Sequence, residues 1–267
     1  MMSADATGNS VYWVQQPQKG AQIFELYITL RNAPGTLNHI TTILAEHGVN
    51  VLKGQIFTEG DKGYFAVFVA CTSSALIDEI TSKIKALEDV YDVKHENSYV
   101  DVFMYPLSSG SQRALIFSAN AVYSSYATLE KVLGLGPARV IVYNSGYQLG
   151  YELASFLRKT TGVSSEKESV DLFVKAFKAS GLGVISTNHF REEPFEAEVK
   201  VKNFLILDNP SIPYSPVLCD LAKGIVSGAL AFIVSRPVMA EEVACQLKGN
   251  DSDTYWVREA NQHPHPI

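Results

Sequence analysis

Residues 24–37 read FELYITLRNAPGTL. The first seven alternate in the two-residue period of a half-buried strand rich in aromatic and β-branched side chains. Asn32, Ala33, Pro34 and Gly35 then form a turn. Leu37, Ile40, Ile43 and Leu44 recur at helical spacing until Gly48 ends the run. Working outward, residues 49–58 predict a second strand, 59–63 a hairpin loop and 64–71 a third strand. Ser74 is placed to cap a second helix that carries Leu76, Ile77, Ile80, Ile84 and Leu87 on one face. Residues 90–94 predict a short closing strand. The order is βαββαβ over about 75 residues, a ferredoxin-like unit.

The turn also has chemistry. A Pro-Gly turn at a helix start exposes backbone N–H groups at the positive end of the helix dipole, a natural receptor for a carboxylate. Residues 31–37 (RNAPGTL), the Gly48-Val49-Asn50 entry to the second strand and the spacing between them resemble the ACT domain, a small regulatory module. The resemblance covers residues 24–95. It implies an amino acid held at Asn32, Pro34, Gly35 and Asn50, and side-by-side pairing into a homodimer with ligand sites at the interface. Read without it, Asn32 shapes the turn and Asn50 tolerates a strained backbone after the helix.

The domain organisation follows from the shifts in composition around this unit. Residues 1–20 lack periodicity and predict a flexible arm. Residues 21–97 make the first domain and 98–111 (SYVDVFMYPLSSGS) a linker. A second domain spans 112–260, and 261–267 (NQHPHPI) is a Pro-punctuated tail. In the second domain, residues 121–133 predict a helix stopped by Gly134, and 137–158 a longer one with Tyr143, Tyr147 and Tyr151 on one face. Gly146 and Gly150 on a neighbouring face permit close approach of another backbone. Ser165 with Glu168 makes a capping box for a helix over 166–180. Strands are predicted over 184–190, 197–207, 238–245 and 255–259, with a helix over 217–234. The fold class expected is α+β: a ferredoxin-like βαββαβ domain plus a mixed α/β domain with an antiparallel sheet.

The last third holds the informative constellation. Cys219 opens a helix, Glu242 and Cys245 close a strand, and Asp253 follows the turn at 248–252. Two thiols and two carboxylates around a tight turn make an S/O metal set, although buried cysteines also pack cores as small hydrophobes. Glu242 and Cys245 lie three apart, so a flat strand would point them oppositely; a shared site needs a bulge or the start of the turn there.

From Arg113 onward the chain is similar to the 4-vinyl reductase domain, a small-molecule-binding domain related to tethering-complex subunits of vesicle traffic. The similarity runs through Leu133-Gly134, residues 147–150 (YQLG), 216–219 (PVLC), Gly224, Gly228 and 242–249 (EVACQLKG). It implies a structural zinc held by Cys219, Glu242 and Cys245. The family's fourth ligand, a further cysteine, falls on Asp253, so this chain departs from the pattern there. The resemblance also implies an enclosed apolar cavity for a small hydrophobic or aromatic ligand. Phe117, Tyr123, Tyr126, Tyr143, Tyr147, Phe173, Phe177 and Phe232 are candidates for its walls, or for plain core.

Composition bounds the partners. The chain of 267 residues is 46% hydrophobic and 19% charged, with net charge −6, so it offers no global basic field to nucleic acid or anionic lipid. Its most apolar run, 224–234, is short of the ~20 residues of a membrane span. Three cysteines do not make a disulfide framework, and a cytoplasmic protein is expected. No glycine-rich phosphate loop, Gly-x-Ser-x-Gly elbow or helix-turn-helix is found. The expected function is a ligand-sensing regulator with no catalytic residues. A reductase-type enzyme and a lipid-filled adaptor or tethering protein are the alternatives.

Overall fold

A computed structural model describes residues 19–99, 108–109, 112–204 and 215–260. The expected tail, most of the arm and most of the linker lie outside the described residues. The chain divides into two units, residues 1–114 and 115–267.

In the first unit, β1 (Gln22–Arg31), α1 (Thr36–Glu46), β2 (Asn50–Glu59), β3 (Lys62–Cys71), α2 (Ser74–Lys85) and β4 (Val90–Asn97) follow the predicted order. A two-residue ladder, β5 (Ser108–Ser109) with β6 (Gln112–Arg113), comes after them. The sheet order is β2-β3-β1-β4, all antiparallel, with β2 at one edge. Alternation sends Phe24, Leu26, Ile28 and Leu30 of β1 and Phe65, Val67 and Val69 of β3 to one face. There they meet Ile40 and Leu44 of α1 and Ile77, Ile80 and Ile84 of α2. The cap of α2 is Ser73, not Ser74. Ser73 has the extended backbone of a capping residue and its hydroxyl accepts from the Leu76 N–H, whereas Ser74 is already the first helical residue.

The second unit contains α3 (Ala119–Leu133), α4 (Leu135–Thr161), α5 (Glu166–Ala179), β7 (Val184–Arg191), β8 (Glu196–Lys202), α6 (Val217–Val234), β9 (Val238–Ala244) and β10 (Asp253–Glu259). A short 3-10 turn, Gln246–Lys248, links the last two strands. The antiparallel sheet has the order β7-β8-β10-β9. Strand β8 ends at Lys202, and residues 205–207 of the expected strand lie outside the described residues. The core lies between this sheet and the helices: Val199, Val201, Tyr255 and Val257 pack with Phe173 and Phe177 of α5 and Ile225 and Ala229 of α6.

Helix α6 is apolar almost throughout and its 18 residues are long enough to cross a membrane, but 89% of it is buried inside the protein. The core partner that surrounds it explains its composition. Glycines set its depth. Gly224 and Gly228 of α6 rest on the backbone of Tyr143 and Tyr147, while Gly146 and Gly150 of α4 rest on Leu221 and Ile225. Two helices with side chains at these four positions could not approach so closely.

Candidate functional site

The strongest chemical cluster is at the start of α6. Cys219 is the third residue of that helix, and Glu242, Cys245 and Asp253 come from β9, the turn after it and the first residue of β10. One ligand atom from each of the four lies within 4.8 Å of every other. The geometric difficulty posed by Glu242 and Cys245 is resolved by a bulge. Thr254 pairs with Ala244 and Tyr255 with Glu242, so Val243 is looped out of the ladder. That extra residue brings a pair three apart to one side of the strand.

The donors fit a four-coordinate ion. Sγ of Cys219 and Sγ of Cys245 stand 3.8 Å apart. Two thiolates at ~2.3 Å on a tetrahedral zinc would be separated by about the same distance. Among the described residues, Glu242 Oε1 is buried with no hydrogen-bond partner, and a buried carboxylate oxygen needs one. Asp253 Oδ1 accepts from the Gln246 N–H at 2.7 Å, which fixes its carboxylate. Burial pushes the Asp253 carboxyl above its usual range, while the Gln246 N–H and the Cys245 side chain pull it down. The frame around the four is closed: Tyr255 Oη donates to the Cys219 carbonyl at 3.2 Å, and Asn250 Nδ2 to the Cys245 carbonyl at 3.0 Å.

Beside this cluster lies an ion pair that the sequence did not single out. Asp220 is buried, and Arg139 of α4 donates to both its oxygens, Nε at 2.7 Å and Nη2 at 3.2 Å. Lys223 adds a second cation at 3.3 Å. The Asp220 carboxylate raises the Arg139 pKa further, and Glu242 and Cys219 add to the effect. Arg139 therefore places positive charge against an acid- and thiol-rich site. A lone Asp in the first turn of an apolar helix was the available signal, because a buried charge needs a partner.

The aromatic candidates divide. Tyr123, Phe173 and Phe177 are in the core of the second unit, with Tyr126, Tyr147 and Phe232 packed against it. Tyr143, Tyr147 and Tyr151 form a ladder along α4, with centroids 6.4 and 6.5 Å apart, ending on Phe232. Lys223 Nζ lies 5.4 Å from the Tyr143 ring. Phe117 is 67% exposed and walls no interior space.

In the first unit, Asn32, Pro34 and Gly35 share the turn before α1, and Asn50 lies apart from them within one chain. Asn32 follows the end of β1; its amide donates to the Gly60 carbonyl at 3.1 Å and its N–H to the Asp61 carbonyl at 2.8 Å. Gly35, at φ 93°, precedes α1, whose start no side chain caps. Thr36, the first helical residue, is buried and its Oγ1 has no partner among the described residues. Asn50 lies at the other end of the sheet, paired with Ala70, which pairs in turn with Ile23. The chain rises about 3.3 Å per residue in a strand, so roughly 30 Å separates Asn50 from Asn32 within one chain.

Comparison with known proteins follows the same division. Residues 24–89 match the sequence profile of the ACT domain, and residues 107–193 match the profile described as the activator of aromatic catabolism. An uncharacterized protein of Methanocaldococcus jannaschii is 24% identical over 198 residues, 74% of this chain and 86% of that protein. The phenol-responsive sensory domain of the transcription activator PoxR, solved with phenol, has a similar fold. It aligns with a TM-score of 0.51 at 14% identity, covering 59% of this chain and 82% of that one. A trafficking protein particle complex subunit 3 from Naegleria fowleri, covalently bound to palmitic acid, aligns less closely. Its TM-score is 0.42 at 19% identity, over 54% of this chain and 95% of that one.

Proposed function

We propose that the protein is a ligand-sensing regulator whose two units read different small molecules. The second unit, of 4-vinyl-reductase type, binds a small aromatic or hydrophobic molecule in its helix–sheet core. The observation that carries this reading is its fold, shared with a phenol-responsive sensory domain and built around an aromatic-rich interior. Cys219, Glu242, Cys245 and Asp253 hold a structural zinc. When bound, the ion supplies a cross-link between the start of α6 and the β9–β10 hairpin, with no coordination position left for chemistry.

The first unit binds an amino acid and pairs with a second copy. Its two half-sites support this, since Asn32 and Asn50 stand at opposite ends of the sheet and β2 is an open edge. Antiparallel pairing of two β2 edges about an axis at Gln55, with Leu52 bulged out of both strands as it is in the β2–β3 ladder, brings the partner's Asn50 opposite Glu59, beside Asn32. The ligand carboxylate then meets the uncapped start of α1. Each ligand thereby favours one arrangement of the unit that it touches, which is the physical requirement for sensing.

Calorimetric titration of the full-length chain with phenol and with toluene tests the reading. Saturable binding of phenol is expected, and Tyr147→Phe should weaken phenol more than toluene, because the lost hydroxyl reads only the polar edge. Absence of binding by either compound would rule out an aromatic sensor.

A further inference from the structure

The first sheet has a second face, and it is buried. Alternation along β1 and β3 turns Ile23, Glu25, Tyr27, Ala66 and Phe68 away from the helices. None of them belongs to the core that α1 and α2 cover. A single chain nonetheless leaves Ile23, Glu25, Ala66 and Phe68 no exposed surface. Neighbours within a sheet do not shield a side chain from above, least of all one as small as Ala66. One row further on, Phe57 stacks on Tyr64 at 5.1 Å and is exposed. A covering layer therefore lies across the sheet from Ile23 to Ala66 and stops short of Phe57.

The entry to β1 points to the source of that layer. Lys19 and Gly20 form a turn directly before the strand, with Gly20 at φ 76°. A turn there sends the preceding residues back along β1. Both edges of β1 are already paired, with β3 and β4, and its inner face is filled by α1 and α2. Only the outer face is left. The residues from Tyr12 to Gly20 reach ~26 Å when extended, twice the ~13 Å from Ile23 to Tyr27.

We propose that the arm before β1 docks on this outer face through residues 11–16 (VYWVQQ), with Trp13 over Ala66 and Phe68. Val11, Tyr12, Trp13 and Val14 supply the apolar surface. The Trp13 indole N–H and the Gln15 and Gln16 amides supply donors to Glu25, a buried carboxylate that requires them. Glu96 pairs opposite Glu25, so the face is acidic at that point, and residues 6–18 carry no acid. The stretch that follows β4 at the same end of the sheet suits it less: it brings Asp101, and Tyr99 at its start is exposed. The docked arm keeps an apolar sheet face from associating with other chains, and it leaves the β2 edge open.

Two measurements on the full-length chain test this. Trp256→Phe leaves Trp13 as the one tryptophan. Its emission is expected to be blue-shifted from that in urea, with acrylamide quenching several-fold weaker, at every protein concentration. In the parent chain carrying methyl-labelled alanine, the Ala66 signal, assigned through Ala66→Ser, is expected upfield from the ring current of an indole. Trp13→Leu should return it downfield while the alanine signals of the second unit stay in place. Emission and quenching equal to those in urea would overturn the proposal. A shielded Trp13 whose replacement leaves the Ala66 methyl unmoved would also overturn it, by putting the arm elsewhere. Shielding that disappears on dilution would assign the cover to a second copy, and overturn it equally.

Discussion

Gly150 of α4 rests directly on the backbone of Ile225 in α6: a Cβ on it would stand 1.9 Å from the Ile225 carbonyl oxygen. Gly228 makes the reciprocal contact, with a Cβ at 1.9 Å from the Tyr147 carbonyl. Both obstacles are helix backbone, which cannot swing aside as a flexible side chain would.

Gly150→Ala and Gly228→Ala should therefore each separate the two helices and destabilise the second unit by about 3 kcal/mol or more. The internal control is Gly136 of α4, where a Cβ meets nothing within 4 Å. Gly136→Ala should instead stabilise by up to about 1 kcal/mol through helix propensity. Urea unfolding of the three variants checks the sign and order. Equal effects at positions 136 and 150 would show that the helices do not pack as closely as described.

Much of this was legible in the sequence, for reasons that differ by element. The βαββαβ order could be read because strands, helices and turns of the first unit each carry a local signal. The close approach at Gly146 and Gly150 was visible as a possibility, but its partners, Leu221 and Ile225, lie about 75 residues along the chain and no local pattern names them. The same holds for Arg139 and Asp220, 81 residues apart. The cluster of Cys219, Glu242, Cys245 and Asp253 shows both sides. Its four residues were legible, and so was the need for a bulge. That the bulge falls on Val243 depends on how β10 pairs with β9, which is a tertiary fact. Asn32 and Asn50 were named together on resemblance, and only the sheet register reveals that one chain keeps them apart.

Three tyrosines of the second unit give a pH dependence. Burial pushes Tyr126 and Tyr147 above the ordinary tyrosine range, and for Tyr147 the neighbouring Tyr143 and Tyr151 add to it. Tyr123 is raised by burial and then by Glu130, against a hydrogen bond from the Ser215 backbone. A raised pKa means that folding favours the neutral phenol. The contribution is complete below the unfolded value of about 10 and is lost as pH rises through the folded values. Following phenolate absorbance with pH, these three should ionise above the ordinary tyrosine range, together with loss of helical signal. Tyr126→Phe should remove one late step. Ionisation of every tyrosine near pH 10 in a still-folded chain would contradict the burial assigned to them.

The departure at Asp253 makes the metal site testable in both directions. The full-length chain should carry about one zinc per molecule by elemental analysis, as a four-ligand site requires. Cys245→Ser should abolish it, because the remaining set has one thiolate. Since the ion would tie α6 to the β9–β10 hairpin, a chelator should lower the melting temperature of the second unit and spare the first. Asp253→Cys adds a third thiolate and should tighten zinc by at least about tenfold, since thiolate suits this ion better than carboxylate. The cost of that variant is the hydrogen bond from the Gln246 N–H to Asp253, so its metal-free form should melt lower than the metal-free parent. If neither parent nor Asp253→Cys takes up zinc, and chelation moves no transition, Cys219 and Cys245 are packing residues. Their 3.8 Å separation would then reflect a dry core, and the buried Glu242 oxygen would need another partner.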